Sequence, residues 1–159
     1  MGDAVDAIRA VWAQRRPELD TEPIAVVGRI LRAARFLQET ADAWLSDAGV
    51  TRTEFDVLSQ LRRSDVPLRP GELTAGVVGS PAATTKRLHK LVGAGLVTRE
   101  PDPADARAAR VALTPAGEAL VDELLPRQLA AEAQLLEALT PDQRRVLAGL
   151  LRTALEAWE

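Results

Sequence analysis

The sequence predicts a mainly α fold of the α+β class, in which a helical frame carries one small β-hairpin. Three observations predict it. Apolar residues make up 47% of the 159 and recur mostly at steps of three and four, the period of a helix face. Aromatic residues are only 3%, so Leu, Val and Ala must fill the interior, a composition that favours helices. Only two short runs, Leu96-Val97-Thr98 and Val111-Ala112-Leu113, have the character of strands. The tract between them, Glu100 to Arg107, is charged, carries Pro101 and Pro103, and reads as a solvent loop that is neither helix nor core.

The length suits one domain. Val5, Ile8, Val11 and Trp12 give residues 3–14 a helical face, which the stretch Arg16 to Pro23 interrupts. A long helix follows from about Ile24. Val27, Leu31, Ala34, Leu37, Ala41, Trp44 and Leu45 form its stripe, and Gly49 ends it. Thr51 with Glu54, and Thr53 with Asp56, are capping-box patterns that start a helix directing Phe55, Leu58 and Leu61 inward. Pro67 and Pro70-Gly71 mark a break, and Glu72 to Val78 reads as a short helix weakened by Gly76. Ser80-Pro81 is an N-cap followed by proline at the first helical position. The helix it opens runs to Gly93 or Gly95, with Leu88, Leu91 and Val92 as its inner face. After the two strands, Thr114-Pro115 repeats that start for a long leucine-rich helix, which Pro126 kinks or splits. Thr140-Pro141 opens the last helix, through Val146, Leu147, Leu150, Leu151, Leu155 and Trp158.

Two short helices joined by a turn and followed by a hairpin make a winged helix-turn-helix. The charged tract is then the wing. It is polar because it projects into solvent, it is stiffened by two prolines, and its far limb carries Arg107 and Arg110 to meet a polyanion. The net charge of −3 speaks against such a partner, but its distribution does not. Residues 80–110 hold six basic residues against three acids, a local +3 that leaves −6 on the rest of the chain. Phosphate binding needs a local patch of this kind and not a basic pI.

Other classes find less support. Cysteine is absent, which excludes disulfides and thiolate metal sites, and a single histidine, His89, leaves no zinc cluster. No cofactor or metal is expected, and no base-and-nucleophile constellation points to an enzyme. No apolar run approaches the ~20 residues of a membrane span, and no basic-then-apolar leader opens the sequence, so a cytoplasmic location is expected.

Several short elements then fall into one spacing. Glu72-Leu73-Thr74, Gly95-Leu96-Val97, Arg99, Asp105-x-Arg107 and Leu113-Thr114-Pro115-x-Gly117 stand in this order within the winged segment. With the helices on either side, this pattern resembles the MarR family of bacterial transcription regulators over nearly the whole chain. Ala106 departs from it, standing where many members carry a second arginine. The resemblance implies a homodimer in which residues 1–48 and 115–159 form the dimerisation helices and residues 49–114 the DNA-binding domain. The apolar stripes of residues 3–45 and 118–158 independently exceed what one small winged domain can cover, which favours association. Double-stranded DNA with an inverted-repeat operator is the implied partner, and repression the implied activity. One recognition helix per subunit would enter a major groove and the wing an adjacent minor groove.

On this reading Ser80, Thr84, Thr85, Lys86, Arg87, His89 and Lys90 of the recognition helix, and Asp105, Arg107 and Arg110 of the wing, are the candidate DNA contacts. Small residues at the helix start permit close approach to base edges, and Ala82 and Ala83 suit thymine methyls. Asp105 would orient Arg107 into the minor groove, where negative potential is enhanced. The stretches VWAQRRPELDTEP and TEFDVLSQLRR further resemble the urate- and aromatic-acid-responsive branch. That branch implies a ligand set of Trp12, Asp56, Arg87 and Arg99, with guanidinium groups for an anion and an indole to stack on it. Each of the four also fits a structural role: Trp12 as dimer core, Asp56 as a helix cap, Arg87 as a phosphate contact, Arg99 as a hairpin residue. The alternative to DNA binding is a winged-helix protein–protein adaptor, in keeping with the acidic total charge. A steep fall of affinity with salt separates the two.

Overall fold

The computed structural model describes residues 2–76, 80–103 and 105–158, with the side chains of Ala106 and Arg107 outside the described set. The chain forms two compact units, residues 1–52 and 53–159. No described helix is long and apolar enough to cross a membrane.

The first unit is helical. Helix α1 (Ala4–Arg15) starts at Asp3, whose carboxylate accepts the Val5 and Asp6 amides, while Asp6 reaches back to the Asp3 amide. Helix α2 spans Glu22–Leu45. It begins two residues before the expected Ile24, because Pro23 stands in its first turn, where a missing N–H costs nothing. The two helices meet where Val5 lies over Gly28; a Cβ there would come to 3.3 Å from a Val5 methyl. Arg29 then reaches from α2 to both capping acids, at 2.9 Å to Asp3 and 2.8 Å to Asp6. A 3₁₀ turn (Ser46–Ala48) follows α2, and Gly49 closes it at φ 72°, a left-handed conformation that suits glycine. Of the α2 stripe only Ala41 and Leu45 are buried; Leu31 is 65% exposed.

The second unit holds all but the first residue of α3 (Arg52–Arg62), and α4 (Pro70–Gly76), α5 (Pro81–Gly93), β1 (Val97–Asp102), β2 (Asp105–Leu113), α6 (Pro115–Leu135) and α7 (Pro141–Trp158). Helix α3 begins where Thr51 stands at the N-cap position, and it buries Phe55, Leu58 and Leu61 as expected. Helix α4 starts at Pro70, not after it. The Arg69 amide is capped by Glu72 Oε2 at 2.6 Å, so Pro70 occupies the first turn instead of breaking it. The expected end of this helix at Val78 lies outside the described residues. Leu73, Leu88, Leu91, Val97, Val111, Val121 and Leu124 are all buried. Val92, expected inside, is 41% exposed, since the inner face of α5 runs through Thr84, Leu88 and Leu91. Pro126 does not split its helix: α6 runs unbroken to Leu135. In α7, capped by Thr140 and Gln143, no described residue is buried.

The hairpin departs most from expectation. Its antiparallel register runs from Val97↔Leu113 through Pro101↔Ala109, then shifts to Asp102↔Asp105. The strands therefore extend through most of the tract read as loop, and Asp102, far from being solvated, is 2% exposed. The backbone of Leu68 adds a two-bond bridge to Val111, at 2.8 and 2.9 Å.

Candidate nucleic-acid interface

Helix α5 is built to show one face. Ser80 is extended (φ −87°, ψ 160°) and its hydroxyl accepts the Ala83 amide at 3.3 Å, a serine cap followed by Pro81 at the first helical position. At the other end the Gly95 amide donates to the Val92 carbonyl and the Leu96 amide to the Leu91 carbonyl, both at 3.0 Å, with Gly95 left-handed at φ 71°. This is a Schellman closure, which needs glycine at that place. Between the caps, Thr84, Leu88 and Leu91 point inward at spacings of four and three. Ala82, Thr85, Lys86 and His89 therefore share the opposite, exposed face.

This geometry sorts the expected contacts. Thr85, Lys86 and His89 are exposed, and the Thr85 hydroxyl donates to the Pro81 carbonyl at 3.0 Å while its lone pairs stay available. Ser80 is exposed at the helix start. Thr84 is not a surface residue: it is 1% exposed, and a hydroxyl on the core face cannot reach a base edge. Lys90 is held by Glu54, at 2.9 Å from a carboxylate only 7% exposed, so its charge ties α5 to α3. Arg87 is half-buried and has a partner. In the wing, Arg110 donates to Asp102 at 3.0 Å and to the Pro67 carbonyl at 2.9 Å instead of standing free. Asp105 is exposed, and the Arg107 side chain lies outside the described residues. Of the ligand set, Trp12 belongs to the first unit and Asp56, Arg87 and Arg99 to the second. Trp12 is 44% exposed, Asp56 half-buried and Arg99 exposed opposite Val111.

Three residues with a part in this surface escaped the sequence reading. Asp102 accepts both Arg69 (2.8 Å) and Arg110 (3.0 Å), and Glu54 fixes Lys90. The Asp102 carboxylate raises the Arg69 guanidinium pKa above its ordinary value, chiefly by hydrogen bonding, so Arg69 stays fully charged. Arg69 and Asp102 stand 33 residues apart, and Glu54 and Lys90 stand 36 apart, so no local pattern joins either pair. Among the described residues, no group of three or more His, Cys, Asp or Glu side chains is placed to hold a metal ion.

A model of the MarR family matches residues 50–109, from just before α3 to the outer part of β2. The transcriptional regulator PecS of Dickeya dadantii is 29% identical over 142 residues, 88% of this chain and 86% of PecS. The multiple antibiotic resistance protein MarR of Salmonella typhimurium is 32% identical over 113 residues, covering 70% of this chain and 78% of that protein. This chain belongs to the MarR family. The backbone agrees: a mutant MarR from E. coli complexed with operator DNA is similar at a TM-score of 0.75 and 26% identity, over 91% of this chain and 97% of that one. As a MarR-family member the protein is a winged-helix transcriptional regulator and not an enzyme.

The MarR pattern at the wing root has a mechanical explanation here. The Thr114 hydroxyl donates to the Gly95 carbonyl at 2.7 Å and accepts the Gly117 amide at 3.1 Å, and the Thr114 amide donates to the Leu96 carbonyl at 3.1 Å. A Cβ on Gly117 would stand 2.1 Å from the Leu96 carbonyl oxygen, a distance no side chain tolerates. Gly95, Leu96, Thr114 and Gly117 thus weld the end of α5 to the start of α6.

Proposed function

We propose that this MarR-family protein is a homodimeric repressor that binds an inverted-repeat operator in double-stranded DNA through α5 and the wing. The observation that carries the reading is the two-sided character of α5. Its inner face of Thr84, Leu88 and Leu91 is buried, and its outer face of Ala82, Thr85, Lys86 and His89 is exposed, small at the N-terminal end and basic beyond it. Such a helix offers close approach to base edges, and its lysine serves the phosphates. The likeness to a MarR caught on operator DNA supports the same docking. The exposed residues Ser80, Thr85, Lys86, His89 and Asp105, together with half-buried Arg87 and with Arg107, are the contacts we retain.

The division of labour proposed for the chain is dimerisation by residues 1–48 and 115–159 and DNA binding by residues 49–114. Support comes from α7, where Val146 is 62%, Leu150 65% and Trp158 67% exposed, an apolar face that water alone would leave unfavourable. For the effector, the exposed face of α1 supports an aromatic anion. Ala7, Ile8, Val11, Trp12 and Arg15 line an open groove of about 480 Å³ that sets an indole beside a cation.

The test is binding to a duplex that the wild-type protein selects from a random-sequence pool, followed across salt. Phosphate-dominated recognition loses on the order of a thousandfold or more between 50 and 200 mM salt if six or more phosphates are met. A recovered inverted repeat and a steep slope support the reading, and Arg107→Ala then weakens binding without unfolding. No selected sequence and a flat slope would favour a protein–protein adaptor.

A further inference from the structure

We propose that Asp102 is a positioning residue of the DNA-binding wing, acting through Arg69 and Arg110 to dock the outer hairpin on the connector between α3 and α4. The inference rests on the DNA-binding reading above and adds a residue to it that touches no DNA itself.

Among the described residues, buried apolar packing holds only the root of the wing. Val97 and Val111 anchor the root in the core, and the Leu68 bridge also stops at Val111. Beyond that point Thr98, Arg99, Glu100 and Pro101 are all exposed. Pro101 has no N–H to donate to the ladder, and the register shifts between Pro101 and Asp102. A two-stranded ribbon is marginal by itself in water, and this one is thinned where it most needs support. At that place stands a carboxylate whose side chain is 1% exposed. Its Oδ2 accepts Arg69 Nε at 2.9 Å and Nη2 at 2.8 Å, and Arg110 Nε at 3.0 Å. The Nη1 of Arg110 continues to the Pro67 carbonyl at 2.9 Å. Arg69 sits immediately before α4, fixed there by its capped amide. The chain of contacts runs from the helix-turn-helix through Arg69 to Asp102 and back through Arg110 to Pro67.

An exposed ion pair would contribute little. This carboxylate is desolvated, so its charge-assisted bonds are strong and one geometry is favoured over all others. A wing held this way presents its limb to the duplex at a set angle, without an ordering cost at each encounter.

The proposal makes a prediction of unusual sign. Asp102→Asn removes a negative charge from a polyanion-binding surface. Electrostatics alone predicts unchanged or tighter DNA binding, whereas a positioning role predicts weaker binding. Wild type, Asp102→Asn and Arg69→Lys are compared on the duplex that wild type selects from a random pool. Arg69→Lys keeps the charge and loses the guanidinium fork, and it leaves Asp102 paired with Arg110, so it serves if Asp102→Asn fails to fold. We expect each folded variant to bind about tenfold more weakly, the size of one or two lost charge-assisted bonds. Minor-groove protection at the operator flanks should fade while the major-groove footprint of α5 remains. Binding equal to or tighter than wild type, or a uniform loss of both footprints by the folded variants, overturns the role. A wild-type protein that selects no duplex overturns instead the DNA-binding reading on which it rests.

Discussion

Gly117 shows how much a single hydrogen can decide. Replacing it by alanine sets a Cβ 2.1 Å from the Leu96 carbonyl oxygen, and backbone cannot yield as a flexible side chain would. Gly117→Ala is expected to destabilise the protein by about 1–3 kcal/mol, the usual cost of overpacking. Gly93, by contrast, is helical with nothing within 4 Å of its would-be Cβ. Gly93→Ala is expected to stabilise by about 0.5–1 kcal/mol through helix propensity. Urea midpoints of the two variants should move in opposite directions. Two lysines on α5 part in the same manner. Lys90 satisfies a carboxylate only 7% exposed, while Lys86 is free to meet phosphate on the outer face. Lys90→Met should therefore lower stability by about 1 kcal/mol, since it takes one cation away from the buried Glu54 carboxylate at a position itself half in water. Lys86→Ala should leave stability alone and reduce the salt slope of DNA binding by about 1. A Lys90→Met protein of native stability with a reduced slope would return that residue to the phosphate contacts.

At the scale of elements, α1 is held to α2 by the buried Val5 and, more weakly, by exposed ion pairs from Arg29. The Asp6 amide and the Arg29 guanidinium hold the Asp3 carboxyl below its ordinary value, and Arg29 and the Asp3 amide hold Asp6 low in turn. Groups whose pKa falls on folding stabilise above their unfolded value and lose that contribution as pH drops through the folded one. The attachment of α1 should thus be intact at neutral pH and weaken below about pH 4, near the ordinary aspartate value. Amide exchange at Val5 reports it, and an Arg29→Gln variant should show a smaller acid dependence. The elements themselves were legible to different degrees. Ser80-Pro81, Thr114-Pro115 and Thr140-Pro141 located three helix starts, because caps act within one turn of chain. Pro23 and Pro70 misled, because a proline in a first turn and a proline that breaks a helix look alike until the preceding residues are seen to be capped. The wing misled most. Its composition says loop, but paired backbone and a doubly held carboxylate keep it strand as far as Asp102.

At the scale of the whole molecule, Leu31, Val146, Leu150 and Trp158 are exposed by more than half in the single chain. A soluble monomer seldom carries apolar faces of this extent, so a twofold partner is the expected cover. Sedimentation at micromolar concentration should give twice the 17.1 kDa chain mass, and Leu150→Glu should shift it toward the single mass. For the effector, an aromatic anion such as salicylate or urate should quench tryptophan fluorescence and release DNA. By linkage, the loss of DNA affinity equals the ratio of the ligand's affinities for the two states. Trp12→Phe trims the stacking area without touching α5, so an identical response from this variant would count against the groove on α1.

The sequence by itself determined the kind of protein: a helical frame, a helix-turn-helix, a hairpin, and a basic segment on an acidic chain. Each of those rests on periodicity, caps or charge counts, which operate over a few residues and are written in the order of the chain. Only the tertiary structure decided which polar residues remain available. Thr84 turned inward because it falls on the same face as Leu88 and Leu91. Lys90 and Arg110 were taken up by Glu54 and Asp102, and Arg69 joined the wing from 33 residues away. The physical reason is that an ion pair is chosen by distance in space. A buried carboxylate must recruit whatever cation the fold brings within reach, and nothing local in the sequence says which one that will be.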